Sequence, residues 1–505
     1  MKTTMGMRPT PGGKIHPLMW WGLAGVLMIA VASLFAAVLL RPQPGAAPAL
    51  TSAPEPTATP EPEQQAWPPP GWTTGTLEEN GFDSARMAKG LLDLRENNVR
   101  IHSLMLIRGK SVLMDAYFYP YDGKTPHDLA SVTKSMMTTL IGIAVDQGKL
   151  SLDDRVVSFF PELTIENMDA RKESITVRHL ATMTSGLACS RARSEALRAE
   201  MMSTGDWVGY ALNLPMWYDP GTHFEYCNPA IHILSGVLSR AMGMSALEFA
   251  QQYLFEPLDI RDVRWPADPQ SNNRGWGDIH MYPRDLAKIG RLWADGGQWQ
   301  GKQIISRQWT EDSVKGYIAS DSGEDYGYAW WVGVDAQAGE YYADGNGGQR
   351  LGVYPFGDLI IVMTGGGMAY DQAMEPVIAA LSDRENPQPL PPNPEGEKLL
   401  AEALVTIAQP PDTASPVEPL PEAARAISGK TFVFDPDSVV TTIRFDFDDA
   451  AEADFAWTVA SDEPVRGGPV GLDGVHRISM TPGTGNVPEA YRGRWTAPDT
   501  FVVDY

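Results

Sequence analysis

The sequence is short of cysteine, of basic side chains and of histidine, and each shortage closes off a class of protein. Two cysteines in 505 residues rule out a disulfide-stapled scaffold and a four-cysteine metal ribbon. Lys and Arg number 40 against 63 Asp and Glu, a net charge of −23, the wrong sign for a nucleic-acid partner. The eight histidines form no H-E-x-x-H arrangement and the cysteines no C-x-x-C, so no metal is implied. His223 and His232 read as structural. The glycine-rich stretch at Gly345-Asn346-Gly347 is not a dinucleotide fingerprint, because Arg350 stands where the third glycine should be and no helix follows. No cofactor is expected.

The apolar content is ample: 43% of residues are hydrophobic, and the chain is too long for one ordinary domain. Residues 17–40 carry no charge, long enough to cross a bilayer. Lys2, Arg8 and Lys14 precede them, which sets residues 1–16 in the cytoplasm and the bulk outside. The expectation is a transmembrane anchor at 17–40; a cleaved signal peptide, with small residues at Ala46-Ala47-Pro48-Ala49, is the alternative. A Pro/Ala/Thr-rich spacer follows over 41–75. The main folded domain is expected over 76–385, then a linker with a short helix over 386–422. A β-rich domain over 423–505 shows alternation in Thr442-Ile443-Arg444-Phe445-Asp446-Phe447. It ends at Asp504-Tyr505 in what reads as mid-strand, hence as an incomplete domain. Cys189 and Cys227 would be either bridged, which an extracytoplasmic site permits, or two separate thiols.

Three stretches carry chemistry. The first is Ser131-Val132-Thr133-Lys134, opening an apolar helix that ends near Gln147-Gly148. A lysine one turn after a serine lies on the same helix face. If burial keeps it neutral, it can take the hydroxyl proton and make the serine a nucleophile. Ser-x-x-Lys alone arises about once by chance in a chain of this length. Its plainer reading is an N-capping serine beside an exposed lysine. The second is Tyr226-Cys227-Asn228. A phenol near a lysine cation loses its proton more easily and can shuttle one to a leaving group. Asn228 can contact a substrate amide; its plainer reading is the N-cap of the helix that follows, with Pro229 first in it. The third is Gly345-Asn346-Gly347-Gly348-Gln349, between strand-like segments. A strand edge of small residues can present N–H groups to an oxyanion; Asn-Gly is equally a hairpin signal.

In this order, the three stretches resemble the β-lactamase and penicillin-binding-protein superfamily of active-site serine hydrolases, over roughly residues 80–385. The likeness is to the class C β-lactamase-like branch, with its esterases and 6-aminohexanoate-dimer hydrolases. His179–Leu187, Pro220-Gly221, Pro283–Ala287 and Tyr326–Trp331 support it. The resemblance implies an α/β (α+β) fold: an antiparallel sheet flanked by helices, with a helical subdomain. It implies Ser131 as nucleophile, Lys134 as its base and Tyr226 as proton shuttle. It also implies substrate contacts from Asn228, Gly347, Gly348 and Gln349, with an oxyanion site at the N–H of Ser131 and one near Gly348 or Gln349. Penicillin-interacting members carry Lys-Thr-Gly in the third box, where this chain has Asn346-Gly347-Gly348 and no cation. Arg350 lies close by, on a strand face the sequence leaves open. The glycines fit an esterase or amidase better. The expected function is therefore a membrane-anchored, extracytoplasmic serine hydrolase of small amides, esters or short peptides. Two rivals are a D,D-carboxypeptidase or β-lactamase-like cell-wall enzyme and a non-catalytic surface binding protein.

Overall fold

The computed structural model describes residues 26–30 and 66–504, apart from 334–338, 384–386, 411–418, 435–439, 449–450, 459–464 and 481–487. Its central sheet runs Thr73–Thr74, Ser111–Tyr117, Ile101–Arg108, Leu359–Gly365, Gln349–Tyr354, Tyr341–Gly345, Trp331–Val332, Asp325–Tyr326, Ile318–Ala319. Its pairings are antiparallel except that of Thr73–Thr74, which runs parallel to Ser111–Tyr117. Distant pieces of chain meet at its centre, where Ile107 pairs with Ile360 and Met105 with Val362.

Side chains alternate across this sheet. Met105 and Ile107 enter one core, Leu104 and Leu106 the other. Both faces are covered, which is why Ile101–Arg108 and Leu359–Gly365 are nearly continuous apolar runs. One face carries Ser84–Glu96, Tyr370–Ala380 and Pro394–Ile407. The other carries Val132–Asp146 and Pro283–Ala294. Residues 132–144 are all buried, and Ser135, Thr138 and Thr139 among them spend their hydroxyls on backbone carbonyls. Beyond it lies a helical subdomain with Arg191–Met202, Trp207–Asn213 and Asn228–Met242. This is the mixed architecture expected.

One expectation needs correction. The short helix expected within the 386–422 linker is Pro394–Ile407, 14 residues long, and it packs on Ser84–Glu96 instead of lying in a linker. Ile407 is buried in the main-domain core and its carbonyl accepts from the N–H of Tyr119 at 2.9 Å. Proline at the first helical position and an Asn393 cap start this helix, so the flanking prolines mark its ends. Within 17–40, Val26–Ala30 form a strand antiparallel to Thr500–Asp504, with Ile29 opposite Phe501; the rest of that span lies outside the described residues. A short apolar run serves a sheet edge as readily as a helix. No single helix among the described residues is long and apolar enough to cross a membrane.

The C-terminal β-rich domain has its own core of Ile443, Phe445, Phe455, Tyr491 and Phe501. Thr500–Asp504, the stretch read as mid-strand, pairs on both sides, with Val26–Ala30 and with Pro488–Ala497. The domain meets the main one through an Arg100–Asp504 ion pair at 3.3 Å and a hydrogen bond from Tyr119 Oη to the His476 carbonyl at 3.3 Å.

Candidate active site

Ser131 stands at the N-cap of the buried Val132–Asp146 helix. It is delivered by His127–Asp128, a two-residue strand paired with His280–Met281. Ala130, just before it, is held at φ +44°, a left-handed conformation that costs an alanine about 1–2 kcal/mol. Its surroundings impose it: the Ala130 N–H donates to Asp128 Oδ1 at 2.8 Å, and Thr133 Oγ1 donates to the Ala130 carbonyl at 2.6 Å. The Ser131 hydroxyl makes no capping bond to its own helix. It accepts instead from Lys134 Nζ at 2.8 Å. The capping reading therefore fails for both residues, since Lys134 is only 1% exposed.

Lys134 Nζ also donates to the Trp276 carbonyl at 2.6 Å. Burial is the main influence on this amine and lowers its pKa to about 7; Glu195 and Asp278 pull it up, Arg198 and Arg191 push it down. Near neutral pH a large share of it carries a free lone pair. With one N–H on the carbonyl, that lone pair can face Ser131 Oγ.

Tyr226 leads into the Asn228–Met242 helix and hydrogen-bonds to Ser131. Its ring centre is 4.8 Å from Lys134 Nζ and it stacks against Trp331. The sequence predicts a lysine cation easing its proton off. Instead burial raises the Tyr226 pKa, and only the Ser131 hydrogen bond and then Arg191 oppose this. A buried lysine that is itself half neutral is a weak counter-charge. At neutral pH the phenol therefore keeps its proton and is equipped to give it.

Asn228 is not the N-cap. That position is Cys227, and Asn228 and Pro229 are the first two helical residues. Asn228 Nδ2 donates to Glu195 Oε1 at 2.7 Å and its N–H to Ser194 Oγ at 2.9 Å. Its Oδ1 is buried without a hydrogen-bond partner among the described residues, which leaves an acceptor for a donor such as a substrate amide N–H. Cys227 and Cys189 are bridged, fastening the Tyr226 loop to the start of the Arg191–Met202 helix.

In the third stretch the hairpin reading and the close-approach reading both hold. Gly347 and Gly348 take φ of +86° and +97°, and the Gly348 N–H donates to the Gly345 carbonyl at 3.2 Å. That turn bond takes the Gly348 N–H out of the expected oxyanion pair. The Gln349 side chain is not turned to a substrate either. Its Nε2 donates to the Gly365 carbonyl at 2.7 Å and its Oε1 accepts from the Gly365 N–H at 3.0 Å. It staples this strand to its neighbour. Gly345 is the residue against Ser131: a Cβ there would lie 2.5 Å from the Leu129 carbonyl oxygen and 3.1 Å from the Ser131 nitrogen. Gly345→Ala should push the strand off the Ser131 turn and lower ester kcat/KM by about 100-fold. The far-ultraviolet circular dichroism should not change; full activity in a folded variant would contradict the close approach. Arg350 does not supply the missing cation. It pairs with Asp344 at 3.0 Å and lies between the rings of Tyr342 and Tyr370, 3.9 and 3.6 Å from their centres.

Sequence reasoning passes over the Trp276 carbonyl, Asp278, Glu195, Arg191, Asp344 and Trp331. Most lie far from the motifs in sequence, and a backbone carbonyl has no residue signature. Arg191 alone left a trace, a cation in the first turn of a helix, where the dipole favours acids.

Known proteins bear on this geometry. Residues 93–382 match the family described as Beta-lactamase. The chain is 24% identical over 290 residues to the 6-aminohexanoate-dimer hydrolase of Paenarthrobacter ureafaciens, covering 54% of this chain and 74% of that one. It is 28% identical over 173 residues to a beta-lactamase of Escherichia coli strain K12, covering 33% and 44%. With esterase EstB of Burkholderia gladioli it shares 26% over 154 residues, covering 28% and 39%. The last two are matched over less than half of their own length. The structure of the octameric penicillin-binding protein homologue from Pyrococcus abyssi superposes with a TM-score of 0.50 at 16% identity, covering 83% of this chain and all of that one. That likeness speaks to the fold alone. The family match spans more than half of the chain and includes Ser131, Lys134 and Tyr226, and on it the chain belongs to the Beta-lactamase family.

Proposed function

We propose that this protein is a serine hydrolase that cleaves small amides or esters through an acyl-enzyme on Ser131. The observation that carries the reading is the 2.8 Å contact between Lys134 Nζ and Ser131 Oγ, made by an amine whose pKa is near neutrality. Lys134 takes the Ser131 proton as Oγ bonds to the substrate carbonyl carbon, and the electron pair of that carbonyl moves onto its oxygen. The oxyanion faces the Ser131 N–H at the start of the helix and the backbone of the 345–349 turn. As the carbon–nitrogen or carbon–oxygen bond breaks, Tyr226 protonates the leaving group and recovers a proton from Lys134. Water then releases the acid by the same steps in reverse.

The Asp344–Arg350 pair favours neutral ester or amide substrates over β-lactams, because its two charges cancel beside the strand edge. An extracytoplasmic location is part of the proposal. The Cys189–Cys227 bridge supports it, as does the uncharged stretch at 17–40 behind Lys2, Arg8 and Lys14. A membrane tether through 17–40 is proposed on the same residues, with the strand pairing of Val26–Ala30 as their competing use.

One experiment covers these points. A cell-impermeant fluorophosphonate applied to intact cells should label Ser131 in the membrane fraction, and Ser131→Ala should abolish the label. Failure of the purified protein to label would reject the hydrolase. Label found only in the soluble fraction would reject the tether. Strong labelling by fluorescent penicillin would favour a cell-wall enzyme instead.

A further inference from the structure

Arg191 opens the Arg191–Met202 helix and is exposed. Its guanidinium lies 5.5 Å from the centre of the Tyr226 ring and 5.8 Å from that of Trp331. Lys134 Nζ is 4.8 Å from the same Tyr226 ring. One phenol is thus flanked by two basic groups, one buried and one at the surface. The placement is unfavourable on local grounds. The first helical turn holds Arg191 and Arg193 and no acid, against the sign the helix dipole prefers. Broken local rules concentrate at functional sites.

We propose that Arg191 is a positioning residue of this hydrolytic site: a fixed cation, lodged by the faces of Tyr226 and Trp331, that adds to burial in favouring the amine form of Lys134 and makes the Tyr226 hydroxyl the better proton donor. The inference rests on the roles proposed above for Ser131, Lys134 and Tyr226. Arg191 exchanges no proton, since a guanidinium does not titrate in this range. It acts by charge alone: a neighbouring cation disfavours the lysine ammonium and favours the tyrosinate.

The other groups around the two side chains make the assignment specific. At Lys134, Glu195 and Asp278 favour the ammonium, while Arg198 and Arg191 oppose it. At Tyr226, the Ser131 hydrogen bond and Arg191 favour ionisation, while Asp344 and Glu195 oppose it. Arg191 and Glu195 act on both residues with opposite signs, and they sit one turn apart on one helix. Glu195 is held there by Arg198 at 2.8 Å and by Asn228 at 2.7 Å. The helix therefore carries a matched pair of charges that set the protonation of base and acid together.

The test is the pH profile of kcat/KM for a neutral p-nitrophenyl ester, measured on the full chain. Turnover rises with pH as Lys134 loses its proton. Arg191→Gln should move this acid limb up by roughly half a unit to one unit, a loss of about 3- to 10-fold at pH 6. Arg191→Lys should restore most of it, and Glu195→Gln should move the limb down. Because Arg191 and Glu195 are both exposed, added salt should move the Arg191→Gln limb down, as Glu195 is screened, and the Glu195→Gln limb up, as Arg191 is screened. An Arg191→Gln profile superimposable on the parent's, or Arg191→Gln and Glu195→Gln shifting the same way, overturns the proposal. If Arg191→Gln fails to fold, a Glu195→Gln limb that ignores salt overturns it. Ser131→Ala in the same assay separates the two levels. Retained turnover there sinks the hydrolase reading itself, whereas an inactive Ser131→Ala beside an unmoved Arg191→Gln sinks only the role of Arg191.

Discussion

Lys134→Met should lose at least about 1,000-fold in ester kcat/KM, while its stability stops responding to pH in the way the parent's does. The activity loss follows from removing the only amine in contact with Ser131 Oγ among the described residues. A positioned general base contributes roughly 10²–10⁴-fold, and base and nucleophile fail together as a unit. The stability effect has a definite sign. Burial lowers the Lys134 pKa from the usual 10.5 to about 7. Between those values the unfolded chain binds the proton and the native state does not, so stability climbs with pH through that window. Below pH 7 the native protein holds a buried ammonium at a cost on the order of 4 kcal/mol relative to high pH. Methionine fills similar space without the charge, and leaves the Trp276 carbonyl short of a donor at every pH. From pH 6 to pH 10, the melting-temperature difference between parent and variant should therefore move in the parent's favour by roughly 5–10 °C. Groups that titrate in both proteins cancel. A difference that stays constant across that range would show that Lys134 is not held neutral by burial.

The parts of this molecule that can be read from the sequence are those made by local spacing. A serine and a lysine one helical turn apart meet by helix geometry alone, and the apolar run after them announces the buried helix. The continuous apolar stretches at 101–108 and 359–365 mark central strands buried on both faces. Long-range contacts leave no such trace. Nothing in the spacing of Tyr226 and Lys134 reveals that burial outweighs the lysine charge, because the burial is supplied by Trp331, Tyr326 and the helical subdomain. Gln349 looks like a substrate contact by position, yet Gly365 uses both ends of its amide. Asn228 misses its expected capping role by one residue, since the cap is set by where the chain bends, at Cys227. The helix at Pro394–Ile407 is legible as an element, but its packing on the main domain is not, because the prolines around it look like a linker. The apolar segment at 26–30 is compatible by composition with a membrane or with a sheet edge, and only a partner strand distinguishes the two.

The second large effect concerns the Cys189–Cys227 bridge. It closes a loop spanning a sequence separation of 38, which in the chain-entropy view stabilises the fold by about 4 kcal/mol. Both cysteines are buried, at 0% and 1% exposure, so Cys189→Ala with Cys227→Ala also removes packed sulfur. The melting temperature should fall by roughly 10 °C. The bridge's position makes a second effect follow. Cys227 is flanked by Tyr226 and Asn228, and Cys189 stands two residues before Arg191. Without the bond, the loop that aims the phenol and the helix that carries Arg191 and Glu195 are joined by non-covalent contacts alone, among them the Asn228 hydrogen bonds to Ser194 and Glu195 and the Arg191 guanidinium against the Tyr226 ring. Turnover should drop by about 10- to 100-fold through kcat at temperatures where the variant is still folded. Its substrate-free circular dichroism should match the parent's. Reductant should reproduce both effects in the parent and neither in the variant, because the variant has no bond left to break. A parent whose melting temperature and turnover ignore strong reductant under partly denaturing conditions, where the buried bond becomes accessible, would place no stabilising or positioning role on the bridge.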